Sequence, residues 1–133
     1  EYSGRLVCHQ VSDNTFSCVP DGYFDLFWSF GVLCHNNLDA IKDILMSARR
    51  KMKRGGWAIH QYGDWEKLDR YGWRKGGVPE HFRSQSDQEI WWPRNDRSSM
   101  ALIAKEAGWK VVASDMELLE RDSIVLLQNS MDE

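Results

Sequence analysis

The chain has 133 residues, 42% of them hydrophobic and 28% charged, which suits one globular domain and excludes a disordered chain. Seventeen Lys and Arg against twenty Asp and Glu leave a net charge of −3, which excludes a general electrostatic grip on nucleic acid or on an anionic membrane. No apolar run approaches the ~20 residues of a membrane span. Cys8, Cys18 and Cys34 are odd in number and lack C-x-x-C spacing, so they read as free buried thiols in a reducing cytoplasm and not as a disulfide framework. The sequence opens on Glu1 rather than Met, and so reads either as a processed chain or as a piece of a longer one.

Leu6–Val11 (LVCHQV) is a short β-branched and apolar run, which predicts a strand. Ser12–Gly22 is rich in Ser, Asp, Asn and Pro and reads as a loop. Phe24–Phe30 (FDLFWSF) is apolar at nearly every residue, as in a strand of a parallel sheet covered on both faces. Asn37–Lys53 is the clearest helix: Leu38, Ile41, Ile44, Leu45, Ala48 and Met52 recur at helical spacing. Asn36 or Asn37 caps its start, and Gly55-Gly56 supplies the stop. The basic cluster Arg49–Arg54 is read as a favourable partner of the helix C-terminus, with a phosphate patch as the alternative.

Trp57–Tyr62 (WAIHQY) reads as the next strand. Gly63–Arg97 follows without clear periodicity, and loops of that length are usually functional caps or disordered. It carries four of the seven tryptophans, Trp65, Trp73, Trp91 and Trp92, and its seven basic and seven acidic residues cancel. Such aromatic content predicts an ordered insertion within a single domain spanning 1–133. Ser98–Ala107 reads as a second helix ended by Gly108, and Trp109–Ser114 and Ser123–Gln128 as two strands. Their connection is too short for a helical crossover, so the final pair is expected to be antiparallel. Asn129–Glu133 is expected to fray. The whole is an α/β fold, mostly parallel, with an antiparallel C-terminal strand.

Several residues carry candidate chemistry. Ser29 and Phe30 lie at the carboxyl end of a central strand, where open α/β sheets place ligands. His35, just beyond, is a candidate general base on an acceptor hydroxyl, histidine being the residue type suited to that role near neutral pH, or is a helix-entry residue bonded to backbone. His60 near the next strand end is the second catalytic candidate, with Tyr62 and Asp64 beside it as an acceptor site. Trp65, Trp91 and Trp92 either stack a ring of the substrate or form a small satellite core. Arg94 pairs either with an acidic acceptor group or with a surface carboxylate.

The ordered segments Val11-Ser12-Asp13-Asn14, Val19-Pro20-Asp21-Gly22-Tyr23-Phe24-Asp25-Leu26, Trp28-Ser29-Phe30-Gly31-Val32-Leu33-Cys34-His35, Arg54-Gly55-Gly56-Trp57 and Glu106-Ala107-Gly108-Trp109 resemble the class I S-adenosylmethionine-dependent methyltransferases. They match that family from its third strand to its end, with Arg54 where proline is common. The resemblance implies S-adenosylmethionine as cofactor, with Asp13 at the adenine amino group, or else an Asx-turn residue of its loop, Asn14 lining the same place, and Ser29 and Phe30 on the cofactor's side, or else, for Phe30, packed in the core. The family's sheet order is 3-2-1-4-5-7-6, and its glycine-rich turn follows the first strand. No G-x-G-x-G occurs here, so the resemblance implies a partial sheet lacking the first two strand–helix units. The edge of Phe24–Phe30 is then expected to lie open. Either the chain assembles into a homo-oligomer through that edge, or Leu6–Val11 moves to cover it. Two functional readings stand at this stage: the acceptor-side half of a small-molecule methyltransferase, not competent for the cofactor alone, or a non-catalytic oligomeric interaction module.

Overall fold

The computed structural model describes residues 4–130. Its elements in chain order are β1 (Phe24–Ser29), α1 (Leu38–Lys51), β2 (Met52–Tyr62), α2 (Trp65–Tyr71), α3 (Arg97–Glu106), β3 (Lys110–Ala113) and β4 (Ser123–Gln128). The strands form one sheet in the order β1-β2-β4-β3. β1 pairs with β2 in parallel, while β4 runs antiparallel to both β2 and β3. Three strands therefore share one direction and the last runs against them, as the residue pattern predicts.

The helices form where apolar spacing and caps agree. The Asn37 side chain accepts from Ala40 N at 2.9 Å at the start of α1, and the Asp96 side chain accepts from Ser99 N at 2.8 Å at the start of α3. α1 buries Ile41, Ile44, Leu45 and Ala48, and α3 buries Met100, Ile103 and Ala104. Both faces meet Ala58, Tyr62, Val125 and Leu127 on one side of the sheet, forming the main core. Each such aliphatic side chain contributes about 1.5–3 kcal/mol on leaving water. Trp109 joins this core and donates from Nε1 to Leu45 O at 2.9 Å, so its one polar atom is satisfied.

The basic end of α1 is held by ion pairs. Lys51 donates to Asp21 Oδ1 at 2.7 Å and to Val19 O at 3.1 Å, and Lys53, already in β2, lies 3.3 Å from Asp25. Arg49 lies beneath Gly108, where φ is +96° and an added Cβ would sit 2.9 Å from Arg49 Nε. Glycine is required there for conformation and for room.

Three expectations are corrected. Leu6–Val11 is not a strand and does not cover β1; Leu6, Val7 and Val11 are exposed. A strand-forming run gains its hydrogen bonds only beside a partner edge, and none lies next to this one. The insertion is not without regular structure, because α2 opens it with Asp64 as N-cap, accepting from Glu66 N and Lys67 N. Asn129 does not fray: its N–H donates to Gly56 O and its carbonyl accepts from Gly55 N, both at 2.7 Å. Residues 131–133 of the predicted frayed tail lie outside the described residues.

The sheet's other face has no such cover. Leu26 and Trp28 on β1 stand opposite Trp57 and Ile59 on β2. Trp28 is 62% exposed, and Leu26, Trp57 and the following Phe30 are exposed too. β1 is also the sheet's edge, with a partner on one side only. This bare apolar face adjoins an apolar groove of about 290 Å³ beside β1, between Phe16, Val19, Phe27 and Met52.

Candidate functional site

β1 and β2 end side by side, and the β3–β4 connection arrives at the same end, since Tyr62 pairs with Ser123. The insertion 63–97 closes over this end through a second core of Cys34, Leu68, Trp73, Val78, Phe82, Ile90 and Trp92. Open α/β sheets bind ligands at this end of their strands.

A buried polar network ties these parts together. After β1 the chain turns at Gly31, whose φ is +77°. Gly31 N donates to Gln61 Oε1 at 2.7 Å, and Gln61 Nε2 donates to Asp122 Oδ2 at 2.9 Å. Arg121 grips Asp122 with two nitrogens, at 2.8 and 2.7 Å, and gives its third to Gly76 O at 2.9 Å. Its guanidinium also lies 5.0 Å from the Trp92 ring centroid. Beside this, Lys67 donates to Asp115 Oδ2 at 2.7 Å and to Asp122 O at 2.8 Å. Burial would raise the Asp115 carboxyl, but Lys67 and the N–H groups of Glu117 and Ile124 outweigh it and hold the group well below the usual range.

The candidate residues fall into separate neighbourhoods. Ser29 and His60 are brought together, with Ser29 Oγ 2.6 Å from His60 Nδ1. His60 has no exposure, its Nε2 has no partner, and Phe27 meets the ring edge-on at 4.3 Å. Burial alone lowers its pKa to about 4, so the ring is neutral at ordinary pH. His35 is exposed and its Nδ1 lies 2.7 Å from Trp91 O, against the rings of Trp91 and Trp92. Tyr62 is buried, gives its hydroxyl to Ser114 O, and is pushed up by burial. Asp64 caps α2 and accepts from Ser123 Oγ at 2.9 Å. Arg94 donates to Asp87 at 2.9 Å and lies over the Trp65 ring. Trp92 is in the second core, while Trp91 is 48% exposed. Asp13 turns back on Thr15, accepting from its N–H and its hydroxyl, and these bonds lower its pKa. Asn14 lines a shallow groove with Thr15 and with Asp43, Met46 and Arg50 of α1.

A cleft of about 370 Å³ lies at the same end of the sheet, lined by Phe30, Tyr71 and the loop Leu118–Asp122. Only Phe30 among these was marked by the strand-end argument. The loop carries no periodicity, and Tyr71 is read in sequence merely as part of an aperiodic segment. Among the described residues no group of three His, Cys, Asp or Glu side chains is placed to hold a metal ion. No described helix is long and apolar enough to cross a membrane.

The residues present do not by themselves fit S-adenosylmethionine. The glycine-rich turn is not in this sequence, and Ser29 and Asp13 already direct their polar atoms at His60 and Thr15.

No protein-family profile matches the sequence, and no curated protein matches it either. Solved structures do. One is an S-adenosylmethionine-dependent methyltransferase from Methanosarcina mazei, with TM-score 0.59 and 12% identity over 91% of this chain and 66% of that one. Another, from Aquifex aeolicus, gives TM-score 0.58 and 14% identity over 90% of this chain and 53% of that one. Human N-acetylserotonin methyltransferase in complex with S-adenosylmethionine gives TM-score 0.56 and 15% identity, covering 91% of this chain and 33% of that one. The chain thus spans between a third and two thirds of the length of these proteins.

Proposed function

We propose, from the class I methyltransferase-like fold that this chain has, that its 133 residues are the acceptor-side half of an S-adenosylmethionine-dependent enzyme acting on a small molecule. The bare apolar face of β1 and β2 carries this reading. In a soluble protein such a surface marks a missing contact, and the matched enzymes have further chain with which to make one. The cofactor's glycine-rich side would come from residues outside this sequence, and the cleft beside Phe30 would receive the acceptor. Ser29, Phe30, Asp13 and Asn14 would line the cofactor's side. His35, His60, Tyr62, Asp64, Trp65, Trp91, Trp92 and Arg94 would border or brace the acceptor's side. The three cysteines are free, Cys34 buried as expected and Cys8 and Cys18 exposed against expectation, and free thiols suit a reducing cytoplasm.

Calorimetric titration with S-adenosylmethionine tests the incompetence of this half alone: no saturable binding is expected, and micromolar affinity overturns it. The coding sequence upstream of Glu1 tests the enzyme itself. A strand, a glycine-rich turn and a helix are expected there, and a start codon directly before Glu1 overturns the reading.

The same exposed face supports a second reading, an oligomeric interaction module in which two copies meet through β1. Edge strands with apolar side chains are templates for pairing. On this reading the 133-residue chain runs as a dimer in gel filtration at tens of micromolar, and Trp28→Lys returns it to a monomer. A wild-type monomer at that concentration removes the second reading.

A further inference from the structure

The cleft at the carboxyl end of β1 has an unusual balance of charge. Its volume, about 370 Å³, falls in the range of small-molecule sites. Phe30 and Leu118 give it apolar walls, being 54% and 65% exposed. Three ionisable charges line it: Glu120, Arg121 and Asp122. Two of them cancel. Arg121 Nε and NH2 bind Asp122, and NH1 binds Gly76 O, so each guanidinium nitrogen already has a protein partner and its charge is balanced by Asp122. Asp122 is buried and also accepts from Gln61. Glu120 is exposed and has no hydrogen bond or ion pair to any described residue. The Tyr71 hydroxyl likewise has no partner among the described residues, and one face of its ring is taken by Lys75 Nζ, 4.4 Å from the centroid.

We infer that this cleft binds an apolar ammonium ion, an aryl- or alkylamine whose hydrocarbon arm lies on Phe30 and Leu118 and whose nitrogen meets Glu120. An apolar wall favours the arm, and an uncommitted carboxylate favours the cationic head. A carboxylate ligand of the same shape meets Glu120's repulsion, and the Arg121 charge is already balanced by Asp122. That the bound amine is a methyl acceptor rests on the function proposed above; the binding does not.

The test uses two probes of similar shape and opposite charge, phenethylamine and phenylacetate, titrated into the 133-residue chain and followed by amide NMR. Phenethylamine is expected to shift the amides of Phe30, Tyr71 and Leu118–Asp122, and to bind about fivefold tighter than phenylacetate, the scale of one exposed ion pair. Glu120→Gln, a surface change, shrinks that gap to less than about twofold. Glu117→Gln, on the same loop but paired with Arg97 at 3.8 Å, leaves it intact. Equal binding of the two probes, shifts mapped elsewhere, or no effect of Glu120→Gln overturns the inference. No cofactor is present in these titrations, so their failure leaves the methyltransferase reading standing, and failure of that reading leaves the amine binding standing.

Discussion

Asp115→Ala is expected to lower the unfolding free energy by about 3–5 kcal/mol, read as a fall in the urea midpoint. The Asp115 side chain has no exposure and accepts from four donors. Lys67 and Arg97 approach Oδ2 at 2.7 and 3.2 Å, and the N–H groups of Glu117 and Ile124 approach Oδ1 at 2.9 and 3.2 Å. These donors belong to α2, α3, the β3–β4 loop and β4. Removing the carboxylate leaves the largely buried Lys67 ammonium without its counter-ion, held only by Asp122 O, and two N–H groups without a partner at once, the situation in which breaking an ionic cluster costs most. Asp25→Ala is the control. Asp25 meets only Lys53, at 3.3 Å on the surface, and its loss should stay within about 0.5 kcal/mol. A loss below about 1 kcal/mol for Asp115→Ala would show that solvent already screens the cluster.

Acid is expected to remove about 3 kcal/mol of stability between pH 6.5 and 4 through His60 alone. The folded pKa is depressed to about 4 from 6.5, so the unfolded chain takes up the proton first as pH falls. The loss therefore begins near 6.5 and levels off near 4. Asp115 acts in a different window: its carboxyl is also depressed, so its contribution is complete above the ordinary carboxylate range and fades only below it. Urea titrations at half-unit pH steps separate the two. His60→Leu should flatten the limb between pH 6.5 and 4 while leaving the steeper fall at lower pH. If the variant keeps the whole limb, His60 is not its source.

Much of the framework is legible in the residues. The apolar spacing of Leu38–Ala48 follows from the period of the helix it builds, but the helix stops at Lys51, and Met52, Gly55 and Gly56, read as its last face and its stop, belong to β2 instead. The antiparallel final pair follows from the short connection between its strands. Leu6–Val11 misleads because composition records what a strand needs on its faces and says nothing of whether an edge lies beside it. α2 escapes notice because only Leu68 of its seven residues is buried, and its best signal, the capping Asp64, reads equally well as an acid in a binding mouth. The site is harder still. His60 and Ser29 lie 31 residues apart and meet only through the parallel register of β1 and β2. The lining of the cleft comes from a strand end, a helix end and a turn, and no local pattern links the three. Tyr62 and Asp64 show the reverse difficulty: reactive types whose polar atoms are satisfied within the fold.

The placement of the tryptophans gives the molecule a built-in optical division. Trp65, Trp73, Trp91 and Trp92 all belong to the insertion, whereas Trp109 is buried in the main core and Trp28 and Trp57 stand on the bare face. Indole emission is therefore weighted toward the cap, while far-ultraviolet dichroism is weighted toward the sheet and the two long helices. One sample carries separate spectroscopic signatures for the scaffold and for the structure that closes over its mouth.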